Sequence, residues 1–186
     1  MHWPERFETD RLALRRTTAA DASAIFDGYA HDPEVTRYLT WRPHRTIDDT
    51  RAYLAGCTDG WDAGTDLTWA LTLAGDDRLI GMIAARPRRH MVDLGYVLAR
   101  DHWGRGFMTE TTIALVALAF EDAAVHRVWA VCDVDNVASA RVLEKAGMTH
   151  EGVLRRWIIH PNISPDPRDV HCYARVRGPV NPGRGR

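Results

Sequence analysis

The sequence predicts a mixed α/β domain built on a mostly antiparallel sheet, and three observations carry that expectation. The apolar period switches from helical to two at Leu67 and stays at two through three consecutive runs ending at Ala99. A glycine-bearing turn then leads from the last of these runs into an apolar helix. Apolar runs at 126–132, 148–157 and 169–176 bring the strand count to about seven. With 186 residues, 45% of them hydrophobic and 26% charged, the chain suits one domain with a sizeable core. That domain is expected over 1–177, with 178–186 a mobile Pro/Gly/Arg tail.

Taken in order, Leu12-Ala13-Leu14-Arg15 alternates as a half-buried strand would. Thr18, three residues before Asp21, is an N-cap for a helix whose apolar face is Ile25, Phe26 and Tyr29. Asp32-Pro33-Glu34 restarts a short helix bearing Val35, Tyr38 and Leu39. Thr46-Ile47-Asp48-Asp49 caps a third helix with Tyr53, Leu54, Cys57 and Trp61 near helical spacing, and Gly56, Gly60 and Gly64 weaken its end. Leu67–Leu73 and Arg78–Ala85 flank Gly75-Asp76-Asp77 as a hairpin. Arg86-Pro87-Arg88-Arg89-His90 reads as a basic turn into the third strand of the meander, Met91–Ala99. Asn136 to Lys145 is a helix ended by Gly147.

The whole-chain properties exclude several classes. A net charge of −1 gives no reason to expect nucleic acid or an anionic membrane. Cys57, Cys132 and Cys172 are odd in number and widely spaced, which is neither a disulfide framework nor a zinc pattern, so a reducing cytoplasm is the expected compartment. No metal site is expected, no apolar run approaches the roughly 18 residues of a membrane span, and Met1 to Arg6 lacks the regions of a signal peptide.

The informative stretch is Arg100 to Glu110, Arg-Asp-His-Trp-Gly-Arg-Gly-Phe-Met-Thr-Glu. Gly104 and Gly106 let the backbone bend and approach a ligand, and the first amides of the following helix lack partners within it. The helix dipole favours an anion there, and Arg105 adds positive charge. A dinucleotide fingerprint would need glycine where Thr109 stands, and a P-loop would need Gly-Lys-Ser/Thr where Gly106-Phe107-Met108 stands. A turn that merely reverses the chain is the bland alternative.

Leu94-Gly95-Tyr96-Val97-Leu98 followed by His102 to Glu110 resembles the acetyl-CoA loop of the GNAT acetyltransferases. The opening Glu8-Thr9-Asp10-Arg11-Leu12, then Asn136 with Ser139, Val142 to Met148, Glu151 to Arg155 and Arg168-Asp169-Val170, are similar in order to the ribosomal-protein N-acetyltransferase (RimJ/RimL-like) branch. The resemblance runs from about residue 7 to 177. It implies helices on both faces of a twisted sheet splayed between its fourth and fifth strands. It further implies that the backbone of Gly95, Tyr96, Val97 and Leu98 pairs with the pantetheine of acetyl-CoA. The amides of Trp103, Gly104, Arg105, Gly106, Phe107, Met108 and Thr109 would hold the pyrophosphate, with Asn136 and Ser139 as polar contacts beyond the fifth strand. The family often forms dimers, so a homodimer is among its implications.

Acetyl transfer needs a neutral amine, donors for the oxyanion and a proton for the departing thiolate. A strand-edge amide near Tyr96 or Val97 serves the oxyanion in the family. Many relatives place a Tyr acid where this chain has Leu143, which leaves Ser139 as the candidate acid; its alternative role is to contact the cofactor or cap its helix. A Glu that the ribosomal branch carries after Glu-Gly is absent from Arg155-Arg156-Trp157-Ile158-Ile159. Asp93 is the candidate base, acting through water, unless it only pairs with Arg88 or Arg89. Glu110 reads as favouring the helix N-terminus, and His160 and His171 as surface groups. The acceptor cleft is expected from 33–63, 86–91 and 157–168, with Trp41, Arg42 and Trp157 as substrate contacts and His44, Trp61 and Arg88 nearby; core roles for Trp41 and Trp61 compete. The acceptor is expected to be a protein N-terminal α-amine. Its rivals are a small amine (amino acid, polyamine or antibiotic) and a non-catalytic acyl-CoA-binding module.

Overall fold

The computed structural model describes residues 3–178, so most of the tail expected at 178–186 lies outside the described residues. The described residues form eight strands in one sheet: β1 Arg6–Glu8, β2 Leu12–Arg16, β3 Leu67–Leu73, β4 Leu79–Arg88, β5 Met91–Leu98, β6 Arg127–Asp133, β7 Thr149–Ile158 and β8 Arg168–Val176. Their order across the sheet is β1-β2-β3-β4-β5-β6-β8-β7. Every neighbouring pair is antiparallel except β5 with β6. The helices are α1 Ala22–Ile25, α2 Pro33–Thr36, α3 Ile47–Ala63, α4 Phe107–Ala119 and α5 Val137–Lys145.

The strand beyond the expected seven comes from the N-terminus, where residues 6–16 fold back as the β1–β2 hairpin. Leu12, Ala13 and Leu14 are all buried rather than alternately so, because β2 lies between β1 and β3 with both its faces covered. The basic turn is also shorter than its sequence implies. β4 runs on to Arg88, Pro87 pairs with Val92, and only Arg89 and His90 make the reversal. β3 begins opposite Ala85, so Pro87 lies where β4 has only β5 beside it, a position that tolerates a missing N–H.

Helices cover both faces. Ile83, with Leu115 and Val116 of α4 and Leu143 of α5, belongs to one apolar cluster, while Met82, with Ile25 of α1 and Leu54 of α3, belongs to the other. Adjacent residues of one strand point to opposite faces, so this division follows from the pleat. The caps form where the sequence places them. Thr46 accepts from Asp49 N in a capping box, Asn136 Oδ1 accepts from Ser139 N at 3.1 Å, and Gly64 ends α3 in the left-handed region. Gly60 inside α3 has a packing reason, since a Cβ there would sit 2.8 Å from the Asp66 carbonyl oxygen. Trp61 is buried against Trp69 at 5.1 Å between ring centroids and donates to the Thr68 carbonyl, which makes it a core anchor.

Candidate active site

The one parallel pairing among the described residues places the site. β5 and β6 are partnered only over Met91–Asp93 with Arg127–Trp129. Beyond that point β6 pairs with β8, while Leu94 to Leu98 pair with β4 on one edge alone. Their other edge opens on a cleft of about 1570 Å³ that also reaches Asp133, Asn136 and Ser139. The expected splay is therefore present, between the fifth and sixth strands once β1 is counted.

The glycine turn closes one end of this cleft. Gly104 and Gly106 hold φ of 71° and 79°, and Gly106 is the N-cap of α4. The first amide to find a partner in the new helix is that of Glu110, on the Gly106 carbonyl at 3.0 Å. Among the described residues the amides of Gly104 to Thr109 have no acceptor, and Gly104, Gly106, Phe107, Met108 and Thr109 line the cleft. Such an array of free amides at a helix N-terminus suits a phosphate, and an unpaired strand edge suits a ligand with amide groups of its own. The Arg105 side chain instead lies over the Phe107 ring at 4.8 Å, and Trp103 donates its indole N–H to the Leu98 carbonyl at 2.7 Å.

A brace for this turn went unread in the sequence. The Glu110 carboxylate accepts from Thr9 Oγ1 at 2.6 Å, from the Arg11 amide at 3.0 Å and from Arg11 Nε at 2.7 Å, while Arg11 Nη1 donates to the Arg105 carbonyl at 3.0 Å. Burial alone would raise the Glu110 pKa, but these donors hold it below the usual carboxylate value. The signal available beforehand was the opening motif itself, Glu8 to Leu12. We expect Arg11→Ala to weaken ligand binding at the turn by roughly 5- to 30-fold, the loss of a charge-assisted pair that fixes the cradle without touching its amides. Calorimetry with CoA checks this; unchanged affinity would mean that the turn holds its shape unaided.

On the other face of the sheet, Asp93 sits opposite Arg86, not Arg88 or Arg89. Arg86 Nη1 lies 3.5 Å from Asp93 Oδ2, and its Nε donates to Asp66 Oδ2 at 2.9 Å. Burial pushes the Asp93 carboxyl above its ordinary value against the opposing pull of Arg86. The guanidinium lies across Gly95, where a Cβ would meet Arg86 Nη1 at 3.1 Å. Asp66 and Arg86 both line the cleft. Arg86 belongs to the expected 86–91 wall, but its pairing with Asp93 and Asp66 was not foreseen, because it depends on register and on the return of the chain after α3.

Tyr96 points to the α4–α5 face, where its hydroxyl lies 2.7 Å from Ser139 Oγ. Leu143 is fully buried, so that position of α5 presents no polar group to the cleft. Cys132 is buried on β6, its thiol pushed up to about 11 by burial, in keeping with its reading as a small hydrophobe.

Of the expected acceptor contacts, Trp41 lines the cleft, whereas the structure places Arg42 and Trp157 outside its lining. Trp157 is 54% exposed because β7 loses register between Leu154 and Ile158, with Arg156 at φ 50°, and it is Ile158 that faces the cleft. His160 is not a surface group. It is buried at the cleft wall with Nε2 3.6 Å from Asp133 Oδ2, and burial lowers its pKa. The loop carrying it is held by Asn162, which donates to the Thr36 and Trp41 carbonyls at 2.7 and 2.8 Å. His171, by contrast, lies 3.0 Å from His150 outside the cleft lining.

Among the described residues no group of three His, Cys, Asp or Glu side chains is placed to hold a metal, and no helix is long and apolar enough to cross a membrane. The three cysteines are free.

A sheet splayed beside an amide-lined helix N-terminus, with polar side chains at the parting, is the arrangement that the resemblance to acyl-CoA-dependent transferases implies. Residues 11–149 match the family described as the acetyltransferase (GNAT) domain, and the chain belongs to that family. It is thus an acyltransferase. It is 32% identical over 173 residues to the uncharacterized N-acetyltransferase YoaA of Bacillus subtilis (strain 168), covering 91% of this chain and 96% of that protein. An acetyltransferase of the GNAT family from Bacillus anthracis shares the fold with a TM-score of 0.80 and 26% identity, over 92% of this chain and 98% of that one. RimL, described as a ribosomal L7/L12 alpha-N-protein acetyltransferase and solved with coenzyme A, shares the fold with a TM-score of 0.81 at 21% identity, over 92% and 98% of the two chains.

Proposed function

We propose that this enzyme transfers acetyl from acetyl-CoA to a primary amine, with the N-terminal α-amine of a protein or peptide as acceptor, in the manner of the RimJ/RimL-like branch. The observation that carries the reading is the single-edged stretch Leu94–Leu98, which leads from the amide cradle at one end to Asp93 at the other. Bound acetyl-CoA supplies an activated acetyl thioester. The amides of the glycine turn hold its pyrophosphate, and the free edge of β5 pairs with its pantetheine. An amide of that edge donates to the acetyl oxygen as charge develops on it. Ser139 acts on the leaving sulfur, and Asp93 takes the amine proton through water.

The amine class follows from the strength of the base. An α-amine with pKa near 8 is about one-tenth neutral at pH 7, whereas lysine is neutral in roughly one molecule in a few thousand. A carboxylate with a modestly raised pKa suffices for the first and serves the second poorly. Trp41, beside Tyr53 at 6.2 Å between ring centroids, offers an apolar wall for the first acceptor side chain. The name of RimL describes an α-amine acceptor for that protein and agrees with this choice.

Purified protein with acetyl-CoA and a panel of peptides, amino acids, polyamines and aminoglycosides tests the reading through CoA release. Turnover is expected with peptides bearing a free N-terminus. Turnover confined to small amines would replace the acceptor, and CoA binding without release on any amine would favour a non-catalytic binding module.

A further inference from the structure

We propose that Tyr96 is a positioning residue that turns the Ser139 hydroxyl into a hydrogen-bond donor aimed at the sulfur leaving in acetyl transfer. The proposal rests on the acetyl-transfer reading above and adds a residue and a direction of donation to it. The two side chains come from elements that the splay separates: Tyr96 from β5, opposite Ile83, and Ser139 from the first turn of α5. They meet across the opening with 2.7 Å between hydroxyl oxygens, and both line the cleft in a half-buried state. Asn136 fixes the serine by accepting from its amide at 3.1 Å, so the turn that carries Oγ is not free to swing.

The direction of donation follows from what each group can accept and give. Either hydroxyl can be the donor across the 2.7 Å contact. The phenol also lies 3.3 Å from the Ser139 carbonyl, so both acceptors within its reach belong to the same residue. Burial pushes the Tyr96 pKa up, so the phenol keeps its proton at neutral pH. Of the two acceptors in reach of its one hydrogen, Ser139 Oγ at 2.7 Å is nearer than the carbonyl at 3.3 Å, and we take the shorter contact as the donation. When Tyr96 donates to Ser139 Oγ, the serine hydrogen is released to a third atom. The Cys132 thiol neighbours Ser139, but as a neutral thiol it is a weak acceptor. A thiolate is a far better one. The pair therefore stabilises a sulfur that takes the bonding electrons as the C–S bond breaks and the C–N bond forms, while the amine proton leaves by way of Asp93. No proton is transferred by Tyr96 or Ser139 in this scheme; they contribute two hydrogen bonds in series.

The decisive experiment titrates the thiol of bound CoA by thiolate absorbance in the ultraviolet, which requires no acceptor. In the wild-type complex the thiol pKa is expected to fall by about one unit, a tenfold gain in thiolate, as a charge-assisted hydrogen bond would give. Tyr96→Phe, Ser139→Ala and the double variant are expected to abolish that shift to the same extent, while Ser139→Thr retains it. Calorimetry measures the CoA affinity of each variant, so that every thiol titration is made on the saturated complex. Kinetics at saturating acetyl-CoA provide a parallel readout: kcat falls similarly in both single variants and in the double. An unshifted thiol in the wild-type complex, a shift that survives Tyr96→Phe, or losses that multiply in the double variant would overturn the proposal. Absence of turnover on every amine would instead defeat the acetyl-transfer reading, and the thiol titration would still decide whether Tyr96 aims Ser139.

Discussion

Gly106→Val is expected to abolish CoA binding, raising the dissociation constant by at least about 100-fold. Gly106 caps α4 at φ 79°, a region that costs an L-residue roughly 1–2 kcal/mol and a β-branched one more. Space is not the obstacle, because a Cβ there would meet only Arg11 Nη2 at an ordinary 3.5 Å. The strain lies in the backbone, and its relief would turn the amides of Gly106 to Met108 away from the position they share at the helix N-terminus. Gly104, at φ 71° with nothing near its missing Cβ, makes a graded control. Gly104→Asn should retain most of the affinity, since Asn tolerates the left-handed region, whereas Gly104→Val should not. Calorimetry, with circular dichroism to verify the fold, reads both; wild-type affinity in Gly106→Val would refute the cradle.

The second large effect is expected from Asp93→Asn, which should lower kcat by about 100-fold or more while leaving CoA affinity intact. Arg86 keeps its bond to Asp66 at 2.9 Å in that variant, so the guanidinium is not left unpaired. The sign of the stability change separates this residue from a structural one. Burial raises the Asp93 pKa in the folded state, so the folded protein binds its proton more tightly than the unfolded chain does. Between the unfolded value near 3.9 and the raised folded value, stability therefore falls as pH rises, and above that window the ionised carboxylate is a net cost. Asp93→Asn should then melt at or above the wild-type temperature at pH 7 although it is nearly inactive. The Asp93 contribution to the acid limb of kcat/KM should lie above the ordinary carboxylate range in the wild type and vanish in the variant, leaving only the limb set by the amine's own ionisation. A variant that loses stability and keeps its kcat would assign Asp93 to the fold.

What the sequence disclosed and what it withheld divide along the distance between interacting residues. The cap at Thr46, the Asn136–Ser139 turn and the glycines before α4 are local, and each is where turn and cap chemistry put it. The meander was legible because its period is two, although β1 escaped notice as a strand of three residues. The Arg11–Glu110 brace spans 99 residues of sequence, and the pairing of Asp93 with Arg86 depends on the register across the Arg89–His90 reversal. Tyr96 was read for its backbone alone, since no spacing rule connects a strand residue with a serine 43 positions later. Trp157 was misplaced because β7 loses register between Leu154 and Ile158, with Arg156 at φ 50°. His160 was read as a loop histidine at the surface, whereas Asn162 ties its loop to the Thr36 and Trp41 carbonyls across 126 and 121 residues of sequence.

The central claim, acetyl transfer to an α-amine, is tested most directly by a peptide that carries both a free N-terminus and an internal lysine. Incubated with the enzyme and acetyl-CoA and fragmented in a mass spectrometer, its product should carry one acetyl group, on the N-terminal residue. Acetyl on the lysine side chain, or an unmodified peptide while a small amine in the same mixture is acetylated, would contradict it.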